Sequence, residues 1–241
     1  MGKVTILDYT TKEPIHMIGK MAGICWHGDV EDSNKNYKRG ISCIESEHGR
    51  ALEYPDVYMK LDGYSAKVLR EYYTHIGGMP SRLQESTRYV EMSDFDFVIP
   101  HTVDKKTVAK KEFEECIKDI GDTIDDLENF LNIPREDASM ILPLCYKSMM
   151  VDKRNLRNLI EMSHQRLCTR AYWEFRELMN DIKNALAEYS NEWKYLVDNY
   201  FVAKCDYFGY CPEKQCCGKK IKKEEAMVIL NKGGAKWQIY F

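Results

Sequence analysis

The chain has 241 residues, 44% of them hydrophobic and 30% charged, enough to bury the core of one large domain or two small ones. A formal net charge of -3 excludes a general pull toward nucleic acid or an anionic membrane, so any anion binding has to be local. There is no apolar run of about 18 residues. The opening "MGKVTILDYTTKE" lacks the apolar core and cleavage pattern of a signal peptide, so the expectation is a cytoplasmic protein with no membrane or nucleic-acid partner.

In chain order, "VTILDY" alternates as a strand, and "EPIHMIGKMAGICW" has apolar residues at helical spacing with Pro14 in its first turn. "GDVEDSNKNYKRG" is polar and reads as a loop or frayed helix. "DVYMKLDG" predicts a strand ending in a turn, and "SAKVLREYYTHI" a helix capped by Ser65. "THIGGMP" is a breaker, with Gly77, Gly78 and Pro80, so the polar run "SRLQESTRYVEM" starts in a loop. "DFDFVIP" alternates as a strand. From Thr107 to Asn132 a stripe of Phe113, Cys116, Ile117, Ile120, Ile124, Leu127 and Leu131 predicts a long amphipathic helix. "IPREDASMILP" is a short helix between two prolines and "LCYKSMMV" a strand. "KRNLRNLIEMSHQRL", "TRAYWEFRELMNDIKNALAEY" and "NEWKYLVDNYFV" follow as helices. Few strands among long helices give an α+β class, a mixed sheet packed with long helices. The expected organisation is one domain over 1–203 with a tail over 204–241.

Three polar segments stand where a core pattern would be expected. In "SRLQESTRYVEM", Arg82 and Arg88 with Ser86 and Thr87 suit an anion such as phosphate, because arginine offers a planar fork of donors and hydroxyls add short ones. "EHGRALEY" places His48, Arg50 and Glu53 before a strand. "NLRNLIEMSHQRLCTRAYWEF" places Asn155, Arg157, Arg166 and Arg170 along consecutive turns. Each segment also reads as a solvated face. A serine nucleophile at Ser86 is rejected, since no Gly-x-Ser-x-Gly elbow surrounds it and no base stands beside it. Trp173 and Tyr172 read as core, and Glu174 as a helix-face partner for an arginine.

Taken together and in this order, the three segments resemble the flavin-dependent thymidylate synthases over most of the chain, from the first strand to about Tyr189. The family signature, Arg-His-Arg, two residues, Ser, one, Asn-Glu, one, Ser, one, Arg-Tyr, overlies "IGGMPSRLQESTRY" without a gap. Ser81, Ser86, Arg88 and Tyr89 match, Gln84 stands at the glutamate and Leu83 at the asparagine. "EHGRALEY" resembles His-x-Ser/Thr-x-x-Glu-His through His48 and Glu53. "ASMILP" sits where the family has Ala-Arg, hydrophobic residues and Leu-Pro, with Ser139 at the arginine. Arg-His-Arg itself is replaced by Ile76-Gly77-Gly78, the mark of a divergent branch, and Arg50, Arg82 and Arg170 are extra arginines expected to restore the missing charge.

The resemblance implies reductive methylation of dUMP, with methylenetetrahydrofolate as one-carbon donor, FAD as hydride carrier and NADPH as its reductant. It implies a homotetramer with active sites between subunits. It assigns Arg166 to activation of the pyrimidine, and the nucleotide to Tyr73, Gln84, Glu85, Ser86, Thr87, Arg88 and Arg166. The flavin falls to His48, Arg50, Glu53, Ser81, Asn155, Arg157 and Arg170. A sister activity, hydroxymethylation of dUMP or dCMP, and a non-catalytic nucleotide- or flavin-binding homologue are the alternatives.

The tail "KCDYFGYCPEKQCCGKK" has the spacing Cys-x5-Cys-x4-Cys-Cys. Cys205, Cys211, Cys216 and Cys217 could enclose Zn²⁺ or an iron–sulfur cluster, or stand as disulfides or free thiols. After them, "EEAMVILNKGGAKWQIYF" reads as a hairpin about Gly233 and Gly234.

Overall fold

The computed structural model of the protein describes residues 2–231. Its elements are β1 (Lys3–Ile6), α1 (Pro14–Ile24), α2 (Ser33–Glu45), a 3-10 turn (Ala51–Glu53), β2 (Asp56–Ser65), α3 (Ala66–Tyr72) and β3 (Ser81–Gln84). Then come α4 (His101–Asp104), α5 (Thr107–Asp125), a π-helical turn (Asp126–Phe130), α6 (Arg135–Ala138), a 3-10 turn (Ser139–Ile141) and β4 (Lys147–Asn155). The chain closes with α7 (Leu156–Arg166), α8 (Trp173–Tyr189), α9 (Asn191–Tyr200), α10 (Lys204–Phe208) and α11 (Lys223–Asn231). The strands pair in the order β1-β2-β4-β3, and the class is α+β as expected. No helix among the described residues is long and apolar enough to cross a membrane.

The chain divides into two compact units, one holding Lys60–Thr74 and Arg82–Asp152, the other Val4–Met59, His75–Ser81 and the residues from Lys153 on. In the first, β2 continues through Gly63, at φ +74°, instead of turning there. It runs directly into α3, where the Ser65 hydroxyl accepts the Val68 N–H at 3.2 Å. α5 buries Ile117 and Ile124 of the expected stripe, while Cys116, within the helix, and Leu131, just past the π turn, are exposed. "DFDFVIP" forms no strand, only an isolated bridge from Phe97 to Tyr146. The loop expected at the start of "SRLQESTRYVEM" is instead β3, an alternately exposed strand.

In the second unit α1 packs on α2, a regular helix from Ser33 where "GDVEDSNKNYKRG" read as a loop or frayed helix. Asp32 caps α2 by accepting the Lys35 N–H at 3.0 Å. The two helices approach through glycine: a Cβ on Gly19 would lie 1.8 Å from the Asn36 carbonyl oxygen, and one on Gly40 2.0 Å from that of Ile15. α8 and α9 supply the buried Phe175, Leu178, Ile182, Trp193 and Leu196. Glu192 caps α1 from the far end of the chain, its carboxylate accepting the Ile15 and His16 N–H groups at 2.7 and 3.3 Å and meeting the His16 ring. The hairpin expected at the C-terminus begins instead as helix α11, and its Gly233-Gly234 turn lies outside the described residues.

Backbone cannot retreat as a flexible side chain can, so Gly40→Ala is expected to lower stability by about 3 kcal/mol or more. Chemical denaturation measures it; an unchanged midpoint would show that the helices part at no cost.

Candidate functional site

Within the second unit the site is built on the junction of β4 and α7. Asn155 ends the strand in extended conformation, and its Oδ1 accepts the Asn158 N–H at 2.9 Å, starting α7. Arg154 is buried beside it and donates to Asn158 Oδ1 at 2.6 Å. The loop before β3 comes down on the same asparagine. Gly78, at φ +71°, lies so close that a Cβ would stand 2.2 Å from Asn155 Nδ2. A cavity of about 250 Å³ lies here, lined by Glu53, Gly77, Gly78, Asn155, Arg157 and Glu161.

Arg157 donates from Nη1 to Glu53 at 2.7 Å and from Nε to Glu161 at 3.0 Å. The Glu53 bond first, then the Glu161 bond, raises the already high pKa of its guanidinium. The turn carrying His48 passes against it: a Cβ on Gly49 would lie 3.2 Å from the Arg157 guanidinium carbon. His48 and Arg50 are themselves exposed, Arg50 at the start of the 3-10 turn. Ser81 is exposed at the start of β3.

Arg166 is the last residue of α7. Its Nε donates to His75 Nε2 at 2.8 Å, and its guanidinium lies over the Phe175 ring, 4.5 Å from the centroid. His75 meets Phe175 edge-on at 5.6 Å and 73°. Beyond Arg166 the chain turns, and Arg170 reaches the tail, donating to the Gln215 carbonyl at 2.6 Å and to its side-chain oxygen at 2.8 Å. Arg170 is therefore engaged as a clamp on the cysteine segment. The adjoining cavity, about 860 Å³, is lined by Arg166, Cys168, Arg170, Cys205, Cys211 and Cys217 among others.

Cys205 and Cys211 are buried with Ala203, with Leu167 and Cys216 packed alongside, and the Cys211 and Cys216 thiols hydrogen-bond each other. Cys216 donates to the Lys220 carbonyl and accepts the Gly218 N–H. A hydrogen bond with Thr169 holds the Cys217 thiol below its ordinary pKa, while burial raises that of Cys205. Among the described residues one group of three side chains offers ligand atoms within 4.8 Å of one another, Glu13, His16 and Glu192, and it includes none of these cysteines. The Zn²⁺ or iron–sulfur site expected at Cys205, Cys211, Cys216 and Cys217 is thus not supported by a group of ligand atoms that close together.

The first unit holds the other polar segment. Gln84 donates to the Ser148 hydroxyl at 3.2 Å, and the Glu85 N–H to the Met149 carbonyl at 2.8 Å. Ser86 then folds the chain: its hydroxyl accepts the Arg88 N–H and its carbonyl the Tyr89 N–H, with Thr87 in the turn. Arg88 Nε donates to Glu136 at 2.6 Å, an exposed pair. Such pairs are worth about 1 kcal/mol at most, so Glu136 yields readily to a stronger anion. Arg82 donates to the Tyr73 carbonyl at 2.9 Å and stacks on its ring.

His75, Arg154 and Glu161 escape the sequence patterns. His75 stood inside a breaker and Arg154 inside an expected helix start; only the Glu161 spacing, four residues after Arg157, carried a signal.

The fold is an α+β framework with arginines borne on helix α7 and the turn after it. Solved structures share it: flavin-dependent thymidylate synthase from Helicobacter pylori complexed with FAD and dUMP has a TM-score of 0.64 at 20% identity, over 82% of this chain and 99% of that one. The UMP/dUMP methylase PolB from Streptomyces cacaoi bound with 5-Br dUMP reaches 0.68 at 18%, over 84% and 97%. Flavin-dependent thymidylate synthases from Nitratidesulfovibrio vulgaris and Pyrococcus furiosus are each 29% identical, over 90% and 96% of this chain and 94% and 100% of theirs. The family described as thymidylate synthase complementing protein, Thy1, matches residues 5–191, and the chain belongs to it.

Burial first, then the charges of Arg166 and Arg154, lower the His75 imidazole from its ordinary 6.5 to about 4. Between those values the unfolded chain binds a proton that the folded chain refuses. The stability His75 contributes is full above pH 6.5 and lost as the pH falls toward 4. Thermal melts from pH 7 to 4 are expected to fall more steeply for the wild type than for His75→Gln; parallel curves would contradict the shift.

Proposed function

We propose that the protein joins a one-carbon unit from methylenetetrahydrofolate to C5 of dUMP and reduces it to a methyl group, giving dTMP, with NADPH as the ultimate reductant. The observation that carries the reading is the fixed Arg166 guanidinium in a chain of this family. Held against the O2/N3 edge of a pyrimidine, it favours the negative charge that develops there as C5 becomes nucleophilic. Ser86 and Arg88, with Tyr73, Gln84, Glu85 and Thr87 near them in sequence, are the proposed nucleotide contacts, the phosphate exchanging for Glu136 on Arg88.

The donors at the β4–α7 junction suit a flavin dinucleotide. Asn155 and Arg157 face a cavity lined also by Gly77 and Gly78, and exposed Arg50 stands three residues before Glu53 of the same lining. Asn155 and Arg157 would hold its polar groups, with His48, Glu53, Ser81 and Arg170 as further proposed contacts. Bound there, FAD would supply the hydride. Residues 1–203 form the catalytic domain in this reading, with 204–241 as an appended tail, in keeping with a family match that ends at residue 191. Assembly as a homotetramer belongs to the same proposal, as does a cytoplasmic location, with which nine unpaired cysteines agree.

Mass spectrometry of a single-turnover mixture of protein, FAD, NADPH, methylenetetrahydrofolate and dUMP is expected to show dTMP. A hydroxymethylated product, or none with flavin bound, would overturn the proposal. Loss of one electrostatic stabiliser lowers turnover by about two orders of magnitude, the expectation for Arg166→Ala. For Arg50→Ala a weaker FAD affinity is expected by equilibrium titration; full affinity would remove its compensating role.

A further inference from the structure

We infer that Cys211 and Cys216 form a reversible dithiol site, closed to a disulfide by a low-molecular-weight disulfide and acting as a covalent lock on the tail. Both residues lie outside the family match, which ends at residue 191.

The two sulfurs are already neighbours. They hydrogen-bond each other, and Cys216 packs on the cluster in which Cys211 is buried with Ala203 and Cys205. Thiols that meet in this way need little backbone movement to bond. The backbone that carries them is held at several points. The Cys211 N–H donates to the Ile221 carbonyl at 2.7 Å, and Cys211 bridges to Lys222. The Cys216 thiol donates to the Lys220 carbonyl at 3.2 Å. Arg170 grips Gln215, the residue before Cys216, through its carbonyl and its side chain. A pair ordered in advance closes in an intramolecular step, with which a soluble thiol competes poorly.

The chemistry is thiol–disulfide exchange. Each sulfur accepts the backbone N–H two residues further on, that of Glu213 for Cys211 and that of Gly218 for Cys216, the second at 3.3 Å. Such bonds favour the thiolate, the form that attacks a disulfide and the form that leaves one. Entry falls to Cys216, which is half-buried, because Cys211 is only 6% exposed. The Cys216 thiolate attacks one sulfur of RSSR, forming a mixed disulfide and releasing RS⁻. The Cys211 thiolate then attacks the Cys216 sulfur, forming the internal disulfide and releasing the second RS⁻. Two protein thiols thus lose two electrons and two protons, one RSSR becomes two RSH, and excess RSH runs the sequence backward. The neighbouring thiols are placed differently. Cys205 is buried, and that burial raises its pKa, while exposed Cys217 bonds to Thr169. The new bond encloses residues 212–215, and Gln215 is the residue that Arg170 holds. Oxidation therefore stiffens the segment that ties the tail to the turn after α7.

The full-length protein, equilibrated with stepped ratios of oxidised to reduced glutathione, quenched in acid, alkylated and digested with trypsin, tests this. Cleavage after Lys204, Lys214 and Lys219 puts Cys211 on one peptide and Cys216 on the next, so the bond joins 205–214 to 215–219 and fragmentation locates its two sulfurs. The expected result is a Cys211–Cys216 link that dithiothreitol reverses, formed at ratios where Cys205 and Cys217 are still alkylated. In the native protein, trypsin cleavage after Lys214 is expected to slow about fivefold or more on oxidation. Cys216→Ser should abolish the link, and Cys205→Ser and Cys217→Ser should retain it. A lasting glutathione adduct with Cys211 still alkylated, a bond to Cys205 or Cys217 instead, or four alkylated thiols at every ratio overturns the inference. Unchanged cleavage after Lys214 beside a formed link overturns the lock. The peptide map of the wild type alone decides the pairing, so a variant that folds poorly does not shield the inference.

Discussion

The side chain of Asn155 is the contact on which the second unit's site depends. Its carbonyl oxygen starts α7 by taking the Asn158 N–H, and its amide meets the backbone of Gly78 with no room for a Cβ between them. One short polar side chain thus couples the end of a strand, the start of a helix and the loop that stands where the family carries Arg-His-Arg. From that origin α7 places Arg157 in its first turn and Arg166 nine residues on, about 13.5 Å along the axis. Displacing the asparagine would move both arginines as one body.

The arginines differ in how they are held. Arg157 and Arg88 are paired with carboxylates, so an incoming anion has to exchange with a partner already present. Arg170 ties the tail to the turn after α7 through Gln215. Arg166 meets the His75 ring and the Phe175 face. With Gly77 and Gly78 where the signature has a histidine and an arginine, the arginines of this unit's site stand on helix α7 and the segments packed on it, not on that loop.

Much of the architecture was legible because its signals are local. Pro14, the Ser65 cap and the three-four spacing of α5, α7, α8 and α9 each act within a few residues. α2 read only as a loop or frayed helix because its buried face includes Asn36 and Gly40, which serve close backbone approach and not apolarity. β3 was missed because an alternately exposed strand needs little hydrophobicity, and "DFDFVIP" alternates without finding a ladder. Resemblance alone pointed to Asn155, Arg157 and Arg166 as a group. His75 stayed hidden because its meaning lies in a contact 91 residues away, which no window of sequence reports. For the four tail cysteines the spacing left a metal site, disulfides and free thiols open; the structure clusters Cys205, Cys211 and Cys216 and supports no metal site among them.

The Glu192 cap on α1 bears on how the chain matures. The leading N–H groups of α1 are answered by a carboxylate 177 residues later in the sequence. Until that residue has been made, α1 and α2 can zip together through their glycines, but the upstream end of α1 lacks this cap. Domains generally fold from the N-terminus as synthesis proceeds; here the cap on α1 cannot form before the first turn of α9 exists. A nascent chain stalled before Glu192 would present an unfinished helix pair to chaperones and proteases, although most of the arginine-bearing segments had already been made.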